Sequence, residues 1–391
     1  MRCFYPATNP LGTVLQEALA RDKVEQERQR GSRVSKAGAL RSTSAFIQII
    51  HKYRDSFVGN DHIPPERIAI FDEAQSAWTY EMIEKFMRTK KGVAEFRYSE
   101  PEFLISTMDR HRDWAVIVCL VGGGQEINTG EAGLPEWFDS LRREFPNWDV
   151  YITPQLNDVE YRREHAWQDM IADLNIFEYE KLHLATSVRS FRTPYLAAFV
   201  KAILDVDTER AKELYQRIKD KYPVRLTRDL NTAKNWVREQ CHGTTRYGML
   251  ASSGALRLKP DGIFVKNEIN VANYFLNGKD DVRSSYYLED VVSEFDIQGL
   301  ELDYSIVAWD ADFRFDGTEW TYYNFVGNRW QNVATEERKL YHKNAYRVLL
   351  TRARQGMIIF IPEGSDTDET RKREWYDANF NYLCDVGVEA I

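Results

Sequence analysis

The sequence predicts an α/β protein of two doubly wound parallel-sheet domains, the second carrying a β-hairpin insertion. Three observations carry this. Residues 68–71 (IAIF) and 114–121 (WAVIVCLV) are short apolar runs without alternation, the pattern of strands inside a parallel sheet. Helical spacing fills the interval between them, at 76–90 and at 101–110, the second announced by Ser99, Glu100 and Pro101. The same alternation resumes after about residue 180, which places the domains at 1–180 and 181–391.

Taken in chain order, Leu11, Val14, Leu15, Ala18 and Leu19 mark one face of a first helix. The Lys/Arg-rich stretch from Asp22 to Thr43 loses that spacing and reads as a solvated loop, with phosphate contact as the sharper alternative. FIQIIHKY (46–53) resumes a short amphipathic helix, and RIAIF follows as a central strand expected to be covered on both faces. WAVIVCLV is expected to be a second fully buried strand running into GGGQE. In the second half LHLAT, PVRLT, RYGMLASS, YSIVAWD and GMIIFIP read as strands, with helices in PYLAAFVKAIL and TERAKELYQRIKDKY. Between about 309 and 330, Asp316 and Gly317 separate alternating aromatic segments, a hairpin signal. Its aromatics, interleaved with Arg314 and Arg329, either stack nucleic-acid bases or pack on their own domain, and packing is the commoner use.

Composition bounds the function classes. With 391 residues, 43% hydrophobic and 29% charged, the chain is a globular protein with room for two substantial cores. The longest apolar run is too short to span a bilayer and the N-terminus lacks a signal-peptide core, so a cytoplasmic protein without a membrane partner is expected. Four scattered cysteines form no CxxC pair, which argues against a disulfide framework or structural zinc. A net charge of −8 gives no overall electropositive field, and leaves room for a local basic groove.

The chemistry concentrates in IAIFDEAQ. Ligands of parallel α/β sheets bind beyond the carboxyl ends of strands. There Asp72 is placed to hold a hydrated magnesium ion (Mg2+), Glu73 to orient or deprotonate an attacking water, and Gln75 to sense a terminal phosphate or that water. The bland alternative is a strand-to-helix loop with acidic capping residues. Gly122, Gly123 and Gly124 allow close backbone approach after the next strand, and Gln125 adds an amide. Further along stand Arg189 and Arg192 in SVRSFR, then Gln298, Gly299 and Glu301 in FDIQGLELD. Arg352 and Arg354 lie between two apolar stretches in YRVLLTRARQGMIIFIP, a setting that suits bidentate phosphate binding.

The order DEAQ, GGGQE, SVRS, QGLELD, LLTRAR resembles the motif series of superfamily 1 helicases, and in detail the Schlafen-like helicase group. IFDEAQSAW, VGGGQEINTGEAG, EFDIQGLELD and NAYRVLLTRARQGM carry the match, which covers nearly the whole chain. The resemblance implies two RecA-like domains with ATP in the cleft between them and single-stranded DNA or RNA as partner. It makes Asp72 and Glu73 the magnesium-holding and water-activating acids and Gln125 the reporter on the γ-phosphate. Arg189 and Arg352 would reach the phosphate from the second domain, with Arg354 beside them, while Gln298 and Glu301 couple nucleotide to nucleic acid. The glycine loop departs from the general pattern, which carries an aspartate there.

The larger departure is the phosphate-cradling GxxxxGK[ST] loop, for which no match exists. The single Gly-Lys pair, Gly278 and Lys279, is followed by Asp280 in the second domain, and GSRVSKAG has the wrong spacing and no strand before it. Ten residues before Leu11 are too few for a strand, the loop and a helix. Three explanations follow: an N-terminally truncated ATP-dependent helicase or translocase, a split one whose P-loop comes from an upstream polypeptide that could also bear a nuclease or effector, or a non-hydrolysing nucleic-acid-binding or scaffolding module. In each, ATP and Mg2+ bind weakly or not at all without the loop.

Overall fold

A computed structural model describes residues 2–6, 9–93, 95–122, 132–157, 166–184 and 195–391. The chain divides into two compact units, Met1–Ala185 and Thr186–Ile391. Both are mixed α/β with parallel sheets. No helix among the described residues is long and apolar enough to cross a membrane.

The first unit runs β1 (Arg2–Tyr5), α1 (Asn9–Gln29), α2 (Lys36–Ser44), α3 (Ile50–Phe57), β2 (Ile68–Phe71), α4 (Tyr80–Phe86), α5 (Glu100–Asp109), β3 (Val116–Cys119), α6 (Gly133–Glu144), β4 (Asp149–Ile152), α7 (Trp167–Ile171) and β5 (Asn175–Glu178). Strands β1, β2 and β3 form a parallel sheet in that order, with Phe71 opposite Tyr5 on one side and Cys119 on the other. Strand β2 is thus central, as its apolar run predicts. β1 was not legible, because four residues are too few to show a period.

The polar stretch after Leu19 is not a loop. α1 continues to Gln29 and α2 follows it. Glu, Gln, Lys and Arg are good helix formers, and here they bond along the helix: Arg21 to Glu17, Gln26 to Asp22 and Gln29 to Glu25. Packing against α2 replaces the missing apolar stripe, with Lys23 donating to Ser42 at 2.7 Å.

Coverage of the sheet also departs from expectation. Cys3, Tyr5, Ala69, Phe71, Ile117 and Cys119 face a core filled by Ile50 and Tyr53 of α3, Leu104, Ile105 and Met108 of α5, and Trp137 of α6. The alternating residues do not gain the same cover. Phe4, Ile68 and Ile70 are half-buried, and Val116 and Val118 are 42% and 38% exposed. The reason is topological. Strand order 1-2-3 winds in one direction, and right-handed crossovers then put every connecting helix on the same face.

Strand β4 pairs only with β5 among the described residues, as a separate parallel ribbon. The strand expected at LHLAT is absent from its described part, residues 182–184; β5, seven residues earlier in register with β4, takes that place.

The second unit contains α8 (Leu196–Leu204), α9 (Thr208–Ile218), β6 (Val224–Thr227), α10 (Leu230–Gln240), β7 (Tyr247–Ala251), α11 (Val271–Leu276), β8 (Val291–Val292), β9 (Leu302–Ala308), β10 (Phe313–Phe315), β11 (Trp320–Val326), β12 (Arg329–Asn332), α12 (Glu336–Thr351), β13 (Ala353–Phe360), α13 (Arg373–Asp385) and β14 (Glu389–Ala390). Its six-stranded parallel sheet has the order β14-β6-β13-β9-β7-β8. Every residue of β7 is buried, so this sheet is covered on both faces as a parallel sheet requires.

The hairpin β10–β11 forms where Asp316 and Gly317 predict it, with Asp316 accepting from the Thr318 and Glu319 amides and Gly317 at φ 103°. Its aromatics pack inward: Phe313 stacks on Trp320 at 4.4 Å, and Trp309 lies 4.6 Å from Tyr346 of α12. Arg314 is buried with its guanidinium 3.6 Å over Trp375 and 4.0 Å from Tyr323. Those rings hold the hairpin to its own unit.

Candidate functional site

Strand β2 ends at Phe71, and the backbone turns sharply after it. The Asp72 amide donates to Tyr5 O of β1, and the Ala74 amide to Leu120 O just beyond β3. The acidic pair is therefore fixed between the carboxyl ends of both neighbouring strands. Asp72 and Glu73 are half-buried there. Glu73 sits at φ 49°, ψ 46°, a left-handed conformation that a residue with a Cβ adopts at a cost of about 1–3 kcal/mol. It makes no side-chain cap to the short 3₁₀ turn Ala74–Ser76 that follows. Helix capping does not account for it.

Gln75 is 3% exposed and spans two partners. Its Nε2 donates to Glu73 Oε2 at 2.6 Å, and its Oε1 accepts from the Gly122 amide at 3.1 Å. The DEAQ turn is thereby tied to the start of the glycine loop. Trp137 Nε1 of α6 donates to Ala74 O at 2.8 Å and locks the turn from below. Sequence reasoning gave Gln75 a phosphate-sensing role and missed this bridge, since a contact across 47 residues has no local signal.

Two carboxylates at a strand's carboxyl end fit magnesium, which binds through one or two carboxylates together with phosphate and water oxygens. Among the described residues no group of three or more His, Cys, Asp or Glu side chains could hold a metal. Gly123, Gly124 and Gln125 lie outside the described residues, as do Arg189 and Arg192.

In the second unit Gln298, Gly299, Glu301, Arg352 and Arg354 gather at the amino ends of β9 and β13. The Leu302 amide donates to Arg352 O at 3.0 Å, which pins the helix-to-strand junction of α12 and β13 to the start of β9. Gly299 takes φ 77°, a turn open to glycine. Arg354 Nε lies 3.7 Å from Glu301 Oε2, and its Nη1 lies 3.8 Å from Asp303. Arg352 is 3% exposed and Gln298 is also buried.

A buried polar network at the carboxyl ends of β7 and β9 was not anticipated. Asp310 accepts from Tyr376 Oη at 2.8 Å and from the Arg257 and Ala311 amides at 2.7 Å. Asp312 accepts from Ser252 Oγ at 2.7 Å and Tyr346 Oη at 2.6 Å, with His342 Nε2 at 3.0 Å. Burial, and then the neighbouring Asp312 charge, push the Asp310 carboxyl up to about 7. The signal was present in WDADF, two aspartates alternating with apolar residues directly after a buried strand.

The sequence has no match among curated proteins. From residue 3 to residue 363 it matches the family described as Schlafen group 3, DNA/RNA helicase domain. Spanning the DEAQ turn, the glycine loop and the β9–β13 junction alike, that match makes the chain a member of the Schlafen group 3 DNA/RNA helicase domain family.

Proposed function

We propose that this helicase-family chain is the motor core of an ATP-dependent nucleic-acid helicase or translocase, and that residues 1–391 supply every part of its nucleotide site except the P-loop. The observation that carries the reading is the DEAQ turn: two acids held at the carboxyl end of a central parallel strand, with Glu73 kept in a strained backbone and bonded to Gln75. Backbone strain of this kind clusters at active sites.

In this reading Asp72 would hold a hydrated magnesium ion, whose charge would neutralise phosphate oxygens. Glu73 orients and deprotonates the attacking water, and Gln75 positions the Glu73 carboxylate. Gly122 to Gly124 give the backbone close access to the nucleotide, and Gln125 reports on the γ-phosphate. Arg189, Arg352 and Arg354 supply cationic charge for phosphate, and the Gln298–Glu301 turn couples nucleotide state to single-stranded DNA or RNA. Arg352, joined to Leu302 through its carbonyl, would move with β9 and β13 as one body. Movement of such a body with nucleotide state is how a motor converts hydrolysis into stepping along a strand.

The test is ATP turnover with and without single-stranded DNA and RNA, together with salt-dependent binding of the same oligonucleotides. The 391-residue chain alone is expected to bind a strand in a salt-sensitive way and to turn over ATP negligibly. Binding without turnover even when a P-loop is supplied would favour a non-hydrolysing module.

A further inference from the structure

A cavity of about 430 Å³ lies in the second unit between the β10–β11 hairpin and helix α13. Its volume is in the range of small-ligand pockets, about 300–1,000 Å³. The walls are held in place by Asn379 of α13. That side chain accepts from the Phe315 amide at 2.7 Å and donates to Phe313 O at 2.9 Å, which bonds the helix to β10 at two points.

Arg314 lines this cavity and is 6% exposed. The rings of Trp375 at 3.6 Å and Tyr323 at 4.0 Å cover its guanidinium. Its Nε donates to Ala311 O at 2.5 Å, while its Nη2 has no hydrogen-bond partner. Other arginines of this unit are paired: Arg228 with Asp377, Arg257 with Asp368 and Arg371 with Asp261. Arg314 has no such carboxylate among the described residues. Burial pushes its guanidinium down to about 10, as expected of a cation with too little compensation. A buried arginine with its faces covered and its outer edge unpaired is best matched by a planar carboxylate, which takes two parallel N–H bonds.

The remaining lining indicates what that carboxylate is attached to. Asp316, Glu374 and Asp385 also border the cavity, and all three are exposed. None of them forms an ion pair among the described residues, and Asp316 spends Oδ1 on the Thr318 and Glu319 amides. Three acids at the mouth repel a phosphate group and attract a cation. Between the acids and Arg314, half-buried Phe315, Tyr323 and Trp375 offer apolar cover for an aliphatic stem.

We propose that the cavity between the β10–β11 hairpin and α13 binds a basic amino-acid residue by its free α-carboxylate. The carboxylate meets Arg314, and the side-chain cation meets Asp316, Glu374 and Asp385. A free amino acid and the C-terminus of a partner polypeptide share this chemistry. The cavity follows the carboxyl ends of β9 and β13, whereas Gln298 and Arg352 stand at their amino ends. The proposal therefore does not rest on the motor reading.

The experiment titrates the full chain into the tripeptide Gly-Gly-Lys, labelled with fluorescein at its N-terminus, and reads anisotropy. The peptide with a free C-terminal carboxylate is expected to saturate with a Kd below about 1 mM. Its C-terminal amide is expected to bind at least about tenfold more weakly. Glu374→Gln combined with Asp385→Asn changes only the exposed mouth and is expected to weaken the free-carboxylate peptide at least about threefold. Arg314→Lys keeps the charge without the planar fork and is expected to weaken it about tenfold. Should that variant unfold, the mouth variant and the amide still decide the matter. Displacement by unlabelled L-lysine assigns the site to the free amino acid; displacement by unlabelled Gly-Gly-Lys alone assigns it to a C-terminus. The proposal is overturned if the peptide does not saturate, if the amide binds equally well, or if the mouth variant binds unchanged. Displacement of the peptide by a single-stranded oligonucleotide gives the cavity to nucleic acid and overturns it as well.

Discussion

Gln75 Nε2 and Glu73 Oε2 lie 2.6 Å apart at the end of β2, and the same Gln75 side chain accepts from the Gly122 amide. One buried amide thus sets the carboxylate expected to handle water and anchors the loop expected to follow the nucleotide. Gln75→Ala would leave the Gly122 amide without its acceptor and Glu73 without its donor. We expect a loss of about 1–3 kcal/mol in urea unfolding, with a larger relative loss in ATP turnover once a P-loop is supplied. Gln75→Glu places a second negative charge against Glu73 and is expected to cost more at pH 8 than at pH 4.

Glu73 itself separates stability from function. At φ 49° a glycine is better tolerated than alanine, and both lose the acceptor of Gln75, so Glu73→Gly is expected to be more stable than Glu73→Ala by up to about 1 kcal/mol, while either removes any hydrolysis. A conventional surface glutamate in a helix would show the reverse order. Differential scanning calorimetry distinguishes the two.

Much of this site was legible from sequence, and the reasons are local. Asp72 and Glu73 follow an apolar run whose end marks a strand terminus, and Arg352 and Arg354 follow a helical pattern that breaks before another run. What stayed hidden depends on tertiary context. The helical continuation to Gln29 rests on charged pairs along one element rather than on an apolar stripe. The exposure of Val116 depends on which way the sheet winds, which no single strand encodes. The Asp310–Asp312 network draws on α12 and α13, 30 or more residues away.

The buried pair Arg54 and Glu100 tests the core of the first unit. Arg54 Nη1 lies 2.7 Å from Glu100 Oε1, both side chains are fully buried, and Glu100 Oε2 accepts from the Trp78 amide. Burial alone would raise the Glu100 pKa; His51, Arg54 and that amide together hold it below the ordinary 4.5. A depressed folded value means that the contribution is present above the unfolded pKa and is lost as pH falls through the folded one. Stability is therefore expected to drop below about pH 4.5. Glu100→Ala, which leaves Asp55 as the remaining carboxylate partner of Arg54 and the Trp78 amide without its acceptor, should cost about 1–3 kcal/mol at neutral pH.

Asp310 has the opposite sign. Its folded value, about 7, lies above the ordinary 3.8, so its contribution is full below that ordinary value and is lost as pH rises through 7. Chemical denaturation of the chain between pH 5 and 8 is expected to show this loss. Asp310→Asn leaves one of its amide donors unmatched and lowers stability by about 1–3 kcal/mol, but it should flatten the dependence over that range.

The most direct test of the central claim measures ATP turnover, stimulated by single-stranded DNA or RNA, in two settings: the 391-residue chain alone, and the chain with a strand–GxxxxGKT–helix segment joined ahead of Met1. The account predicts negligible turnover alone, strand-stimulated turnover with the segment, and its loss in Glu73→Gln by a factor of roughly 100 or more. Robust turnover by the unassisted chain, or turnover with the segment that survives Glu73→Gln, would contradict it.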